Sequence, residues 1–173
     1  MDLRTARPDD VGAIVALVES AYRGDASRAG WTTEADLLQG QRTDAAAALQ
    51  QIADPDGEML LLHDDGALVA CCHLRRQGSG AYFGSFAVSP GQQGRGIGRQ
   101  LLAAAEARAV ERWDADVLEM TVIARRTELV AWYARRGYAP TGERRPFPYG
   151  DERFGIPQVD DLDFAVLVRS LRA

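Results

Sequence analysis

The chain contains no lysine: all 20 of its basic residues are arginine. That excludes Schiff-base chemistry, which needs an ε-amine. It also excludes a Walker A phosphate loop, whose Gly-Lys-Ser/Thr step requires lysine. Histidine is scarce as well. His63 and His73 are the only two, each in a strand-like run with no cysteine or acid at ligand spacing, so no metal site is expected. No Gly-x-Ser-x-Gly elbow is present, which removes the support for a Ser-His-Asp triad. The two cysteines, Cys71 and Cys72, are neighbours in an apparent strand. They should point to opposite faces, stay unpaired and behave as buried thiols in a reducing compartment. No apolar run approaches 18 residues, and Met1 to Pro8 carries no apolar signal core. The expectation is a cytoplasmic protein without membrane association.

Positive charge is in deficit: the net charge is −5, which speaks against a nucleic-acid footprint. The arginine pairs at 75–76, 125–126, 135–136 and 144–145 are expected to be solvated faces or phosphate contacts. The acidic balance is compatible with a cationic amine substrate.

What the chain does have is an ordinary globular composition, 46% hydrophobic and 26% charged over 173 residues. One domain spanning 1–173 is the simplest reading. Its most informative stretch runs from Tyr82 to Leu102. Phe83, Phe86 and Val88 among small residues read as a strand, which Pro90 and Gly91 punctuate. Gly94, Gly96 and Gly98 then alternate with Arg95, Ile97 and Arg99, and an apolar run of helical spacing follows. Glycines let the backbone approach a ligand closely, and a helix N-terminus adds unpaired N–H groups and a partial positive charge. Together they predict an anion site, most simply for phosphate. The spacing is not the Gly-x-Gly-x-x-Gly of dinucleotide-binding folds.

Leu3 to Ala6 reads as a first strand, followed by a helix from Pro8 or Asp9 with Val11, Ile14, Val15, Val18 and Tyr22 on one stripe. Arg23 to Trp31 reads as loop. Thr33 and Asp36 predict a capped short helix through Leu38, and Asp44 to Ile52 a second, alanine-rich one. Met59–His63 and Ala67–Leu74 flank Asp64-Asp65-Gly66, a hairpin signal. A helix to about Trp113, a strand over Val117–Ile123, a helix over Arg126–Arg136 closed by Gly137, and strands at Tyr138–Thr141 and Asp163–Val168 complete the chain. Residues 142–160 lack periodicity and exceed the usual loop length, which marks them as functional.

Gln93-Gly94-Arg95-Gly96-Ile97-Gly98, after Val88-Ser89-Pro90, resembles the Gln/Arg-x-x-Gly-x-Gly/Ala signature of the GNAT acetyltransferase superfamily. Trp132 to Tyr138 resembles that family's Phe/Leu-Tyr-x-x-x-Gly-Phe/Tyr segment, and the order of elements matches nearly throughout. The resemblance implies an α+β fold, with a mixed, mostly antiparallel sheet of about seven strands flanked by four to five helices. It implies acetyl-CoA as acyl donor, no metal, and direct transfer to a primary amine in a ternary complex. The acceptor would be a small-molecule amine, an amino acid or a peptide N-terminus. The alternatives are an acyl-CoA-binding module without transfer and a transferase of another acyl group.

By the same resemblance, Gln93, Gly94, Arg95, Gly96, Ile97, Gly98 and Arg99 would grip the CoA pyrophosphate. Phe86, Ala87 and Val88 would offer backbone to the pantetheine arm, the Val88 N–H facing the thioester oxygen. Tyr133 would serve the departing thiolate. A phenol near pKa 10 facing a thiol near 8.5 makes full proton transfer uphill by about 2 kcal/mol, so a hydrogen bond to the developing thiolate is the more economical role. An alkylamine is only about one part in 2,500 neutral at pH 7, a cost of about 4.6 kcal/mol that calls for a base or a water relay. Gly84 and Ser85 occupy the positions where many relatives carry an acid. Glu34 is therefore the candidate base, with Glu119 behind it. Arg126 replaces a common asparagine and is a candidate phosphate contact. The 142–160 loop would shape the acceptor pocket or a dimer contact, so a homodimer is one expectation.

Overall fold

Asp65 and Gly66 both adopt positive φ, +48° and +82°, the requirement of a tight two-residue hairpin turn. They join strands Gly57–Asp64 (β3) and Ala67–Gln77 (β4) at the centre of the molecule. In the computed structural model, which describes residues 1–172, the chain begins with Asp2–Thr5 (β1) and Val11–Tyr22 (α1). Gly24–Ser27 (α2), Leu38–Gln39 (β2) and Ala45–Ala53 (α3) lead into the hairpin. After it come Gly80–Val88 (β5), Ile97–Trp113 (α4), Val117–Ile123 (β6) and Thr127–Ala134 (α5). Ala139–Pro146 (β7), Ile156–Pro157 (β8) and Asp163–Ser170 (β9) close the fold.

Seven strands form one sheet in the order β1-β3-β4-β5-β6-β9-β7, and β2 pairs with β8 in a small second one. Only β5 and β6 run parallel within the large sheet. The α+β expectation therefore holds, with five helices around a mostly antiparallel sheet. Among the described residues no helix is long and apolar enough to cross a membrane.

The strand period of two separates the core into two layers. Met59, Leu61 and Cys71 pack with Ile14, Leu17, Val18 and Ala48 of α1 and α3. Leu60, Leu62, Cys72 and Leu74 pack with Leu101, Leu102 and Ala105 of α4 and with Leu129 and Tyr133 of α5. The adjacent cysteines thus lie on opposite faces, both free and buried. Burial pushes the Cys71 thiol up to about 12 and the Cys72 thiol well above its ordinary value. Neither should react with an aromatic disulfide reagent in the native state, and both should on unfolding. Rapid labelling of the native protein would contradict this packing.

Three sequence expectations change. Arg23 to Trp31 is not all loop, because Gly24–Ser27 forms the short helix α2. Thr33 to Leu38 is not a helix. The Leu37 and Leu38 N–H groups both close a turn on the Glu34 carbonyl, and Leu38-Gln39 then leaves to pair with β8. The expected loop at 142–160 starts later, because β7 continues to Pro146. Its exposed Arg144 and half-buried Arg145 hide a strand signal, but charged residues suit the edge of a sheet, and β7 is an edge.

Candidate active site

β5 and β6 are hydrogen-bonded neighbours only at Ala81–Leu118 and Tyr82–Glu119. Beyond Tyr82 the strands part. On its other edge β5 carries one extra residue, since Cys71 faces Ala87 while His73 faces Gly84. This is a β-bulge, and Ser85 sits in it at φ +46°. The Tyr22 hydroxyl donates to the Phe86 carbonyl and ties the bulge to α1. The Ser89 N–H donates to Val69 O, toward β4. Strand alternation then turns the Val88 N–H the other way, into the opening.

On one side of this gap lies a cleft of about 500 Å³, lined by Phe86, Val88, Gly94, Arg95, Gly96 and Arg99 among others. Arg136 also lines it, its guanidinium 3.5 Å above the Trp132 ring. Among the described residues, three arginines and no acid face this space. Gly96 caps α4 at φ +82°, and the Ile97, Gly98 and Arg99 N–H groups that follow lack intrahelical acceptors. At Gly98 the constraint is space: a Cβ there would stand 3.3 Å from Phe86 Cζ. The cleft is built for an extended anion.

On the other side lies a cavity of about 350 Å³, which shares Tyr22, Phe86 and Leu129 with the cleft. Gly84, Ser85, Tyr82, Thr121, Tyr133, Phe147 and Phe154 line it, with Arg23, Arg42, Arg126 and Glu34. Glu34 is 5% exposed and receives three guanidinium groups. Arg23 Nη1 stands 2.6 Å from Oε2, Arg126 Nη1 3.0 Å from Oε1, and Arg42 Nε 3.7 Å from Oε2. Burial alone would raise the carboxyl, but Arg42, Arg126 and Arg23 together hold it below the ordinary carboxylate range. Tyr133 is 4% exposed, and burial pushes its phenol well above the usual value, so it stays protonated.

A glycine-cradled anion cleft that opens through a strand gap onto a second cavity is a two-substrate arrangement. The acetyltransferase (GNAT) family model matches residues 15–138. The chain belongs to the GNAT acetyltransferase family. Solved structures agree in fold. The ribosomal-protein-S18-alanine N-acetyltransferase of Escherichia coli aligns with TM-score 0.73 at 17% identity, over 99% of this chain and 94% of that one. The ribosomal-protein-alanine N-acetyltransferase of Brucella melitensis gives 0.71 at 19%, over 98% and 99%. A variant of the Vibrio cholerae spermidine N-acetyltransferase gives 0.67 at 15%, over 99% and 95%. No curated protein matches the sequence.

The GNAT donor is acetyl-CoA, and the residues present suit it. Gly94, Arg95, Gly96, Gly98 and Arg99 face the cleft, as do Phe86 and Val88. Ala87 and Ile97 do not: both side chains are buried in the core, so only their backbone could serve a ligand. Gln93 lines the cleft, but its amide is engaged by the protein. It accepts from the Trp31 N–H at 2.9 Å and donates to Thr32 Oγ1 at 2.8 Å and Val88 O at 3.1 Å. Gln93 therefore fastens the 31–32 turn to the end of β5.

Of the two candidate bases, Glu34 reaches the second cavity and Glu119 does not. Glu119 is held by Arg145 at 2.9 Å and by Gln77 at 3.2 Å, outside the cavity lining. Arg126 lines the second cavity rather than the anion cleft, and its Nη groups donate to Glu34 Oε1 and to the Thr32 carbonyl. Ser85 Oγ exchanges hydrogen bonds with the Gln51 amide, at 2.9 and 3.1 Å. His73 lines the cavity, but its Nε2 is buried against Gly57 and has no partner. Sequence reasoning missed Arg23, assigned to loop, and Arg42, given no role, while Arg136 belonged to a pair expected to be a solvated face or a phosphate contact.

Proposed function

We propose that this protein transfers the acetyl group of acetyl-CoA to a primary amine held in the second cavity. The observation that carries the reading is the strand gap, where an anion cleft and an acceptor cavity meet at Tyr22, Phe86 and Leu129. Arg95, Arg99, Arg136 and the α4 N-terminal amides would hold the CoA phosphates. The Val88 N–H would hydrogen-bond the thioester oxygen as charge develops on it, and preorganised donors of this kind are usually the largest catalytic term. The neutral amine attacks the thioester carbonyl carbon, the C–N bond forms and the C–S bond breaks. The departing thiolate accepts a hydrogen bond from the Tyr133 hydroxyl, which stays protonated, and a proton from solvent completes the thiol as product leaves. The attacking nitrogen's proton goes to solvent.

Glu34 is placed in this reading as the carboxylate that positions the arginines, not as the base. A carboxyl held below its ordinary range by three cations is a weak proton acceptor. The same cations favour loss of a proton from a bound ammonium by like-charge repulsion, which reduces the need for a dedicated base. They also disfavour a polycationic acceptor. The net acidity of the chain is therefore inverted locally.

The experiment is thermal unfolding with and without acetyl-CoA. A ligand at 100 times its dissociation constant should add about 2.7 kcal/mol. Gly96→Ala supplies the control, because an L-residue in the left-handed region costs about 1–2 kcal/mol. The variant should weaken acetyl-CoA binding about tenfold, by calorimetric titration. Equal binding by both proteins would place the donor elsewhere.

A further inference from the structure

We infer that Gln93 is a positioning residue: its amide latches the 30–32 turn, so that Trp31 walls the cleft where the uncharged arm of acetyl-CoA passes from the glycine loop to the strand gap. The inference rests on the transferase reading above and deepens it on the acyl-donor side. A glutamine amide has two N–H groups, and both are spent here, on Thr32 Oγ1 at 2.8 Å and on the Val88 carbonyl at 3.1 Å. Its oxygen accepts the Trp31 N–H at 2.9 Å. No N–H of this side chain is left for a phosphate. Gly30 supplies a second, independent observation. A Cβ there would stand 2.7 Å from Gln93 Oε1 and 2.9 Å from both Cδ and Nε2, closer than side-chain atoms approach. The Gly30 backbone is not left-handed, so space alone calls for glycine. Gly30 is the seat of the amide.

The latch holds an exposed aromatic in one place. Trp31 is 41% exposed and belongs to none of the buried core clusters, so core packing does not position it. Its ring nevertheless stands 6.3 Å from that of Trp132, and both line the cleft with Phe86 and Val88. Trp31, Phe86 and Trp132 give this stretch an aromatic lining, which suits an uncharged arm and not a phosphate. The turn is fastened at its far side as well. The Thr32 carbonyl accepts from Arg126 Nη2 at 2.5 Å, and Arg126 Nη1 donates to Glu34 in the second cavity. Gln93 is the fastening on the cleft side. Because it directly precedes Gly94, it ties the Trp31 wall to the glycine loop that would hold the phosphates.

The test measures, by calorimetric titration, binding of acetyl-CoA and of the nucleotide half of CoA, which carries the phosphates but no pantetheine arm. Gln93→Ala should weaken acetyl-CoA about tenfold, the scale of one or two neutral hydrogen bonds, and leave the nucleotide half within about twofold. Trp31→Ala should show the same pattern. Gly30→Ala should match Gln93→Ala, since its methyl displaces the amide. With both substitutions in one chain the methyl has nothing to displace, so the two losses should not add. Independent structural damage would add. A further arm needs no ligand. The Trp31 N–H, bonded to Gln93 Oε1, should exchange with solvent about tenfold faster or more in Gln93→Ala and Gly30→Ala, while the core amides of β4 stay protected. Gln93→Ala carries both arms if Gly30→Ala does not fold. Equal loss of both ligands in Gln93→Ala would return the side chain to the phosphates and overturn the inference. Additive losses in the double variant, unchanged acetyl-CoA binding in Trp31→Ala, or a Trp31 N–H that exchanges as in wild type would overturn it too. A wild type that binds neither ligand would instead count against the transferase reading, and the exchange arm would still decide the latch.

Discussion

Glu34→Gln is expected to lower the stability of the fold by about 3 kcal/mol or more, because breaking a buried ion pair leaves its partners uncompensated. Here one carboxylate faces three arginines, and two of them, Arg23 and Arg126, are themselves almost fully buried. The amide could still accept hydrogen bonds but would supply no charge. The readout is the urea midpoint with the slope unchanged. A shift of less than about 1 kcal/mol, the range of exposed pairs, would mean that solvent screens the cluster. The same group sets a pH dependence. Its carboxyl is held below the ordinary range in the folded state. Its contribution is therefore complete above the unfolded-state value of about 4.3, and it is lost as pH falls through the lower folded value. Wild type should lose stability over that acid interval more steeply than Glu34→Gln, as followed by urea midpoints at successive pH values.

Tyr133→Phe is expected to reduce kcat about 100-fold or more, the lower end of what a positioned acid contributes. The ring is buried and stacked edge-on against Trp132 and Tyr138, at 5.0 and 5.7 Å between centroids. Phenylalanine keeps that packing, so stability and acetyl-CoA binding should hardly move. Burial keeps the phenol protonated across the neutral range, which is the state a donor to sulfur needs. The pairing of low kcat with unchanged donor affinity separates a chemical role from a structural one. An unchanged kcat would remove Tyr133 from the reaction and leave the thiolate to solvent.

The stretch from Tyr82 to Trp113 was legible because local chemistry dictates it. Pro90 stops a strand, Gly96 takes a left-handed cap, and the apolar spacing of Ile97, Leu101 and Ala105 sets the helix. The hairpin turn at Asp65-Gly66 was legible for the same reason. The second cavity was not. Arg23, Glu34, Arg42 and Arg126 meet only through tertiary folding, from four separate segments, and nothing in their spacing announces a cluster. Thr33-Glu34-Ala35-Asp36 has a helical cap pattern, yet the buried Glu34 and the pairing of Leu38-Gln39 with β8 override it. Gln93 was legible as part of the motif, while its task of fastening the 31–32 turn was not, since its partners lie 61 and 62 residues away. Net charge misled in the same way, because an acidic total says nothing about one cavity.

The most direct test of acetyl transfer at this gap is thiol release from acetyl-CoA, followed while amines are added one at a time at fixed protein. The two native cysteines are buried, so the thiol reagent should report only CoA. Release that rises with one amine, saturates, and falls about 100-fold in Tyr133→Phe is the predicted result. Binding of acetyl-CoA without amine-dependent release, across free amino acids, simple amines and peptides alike, would contradict the account.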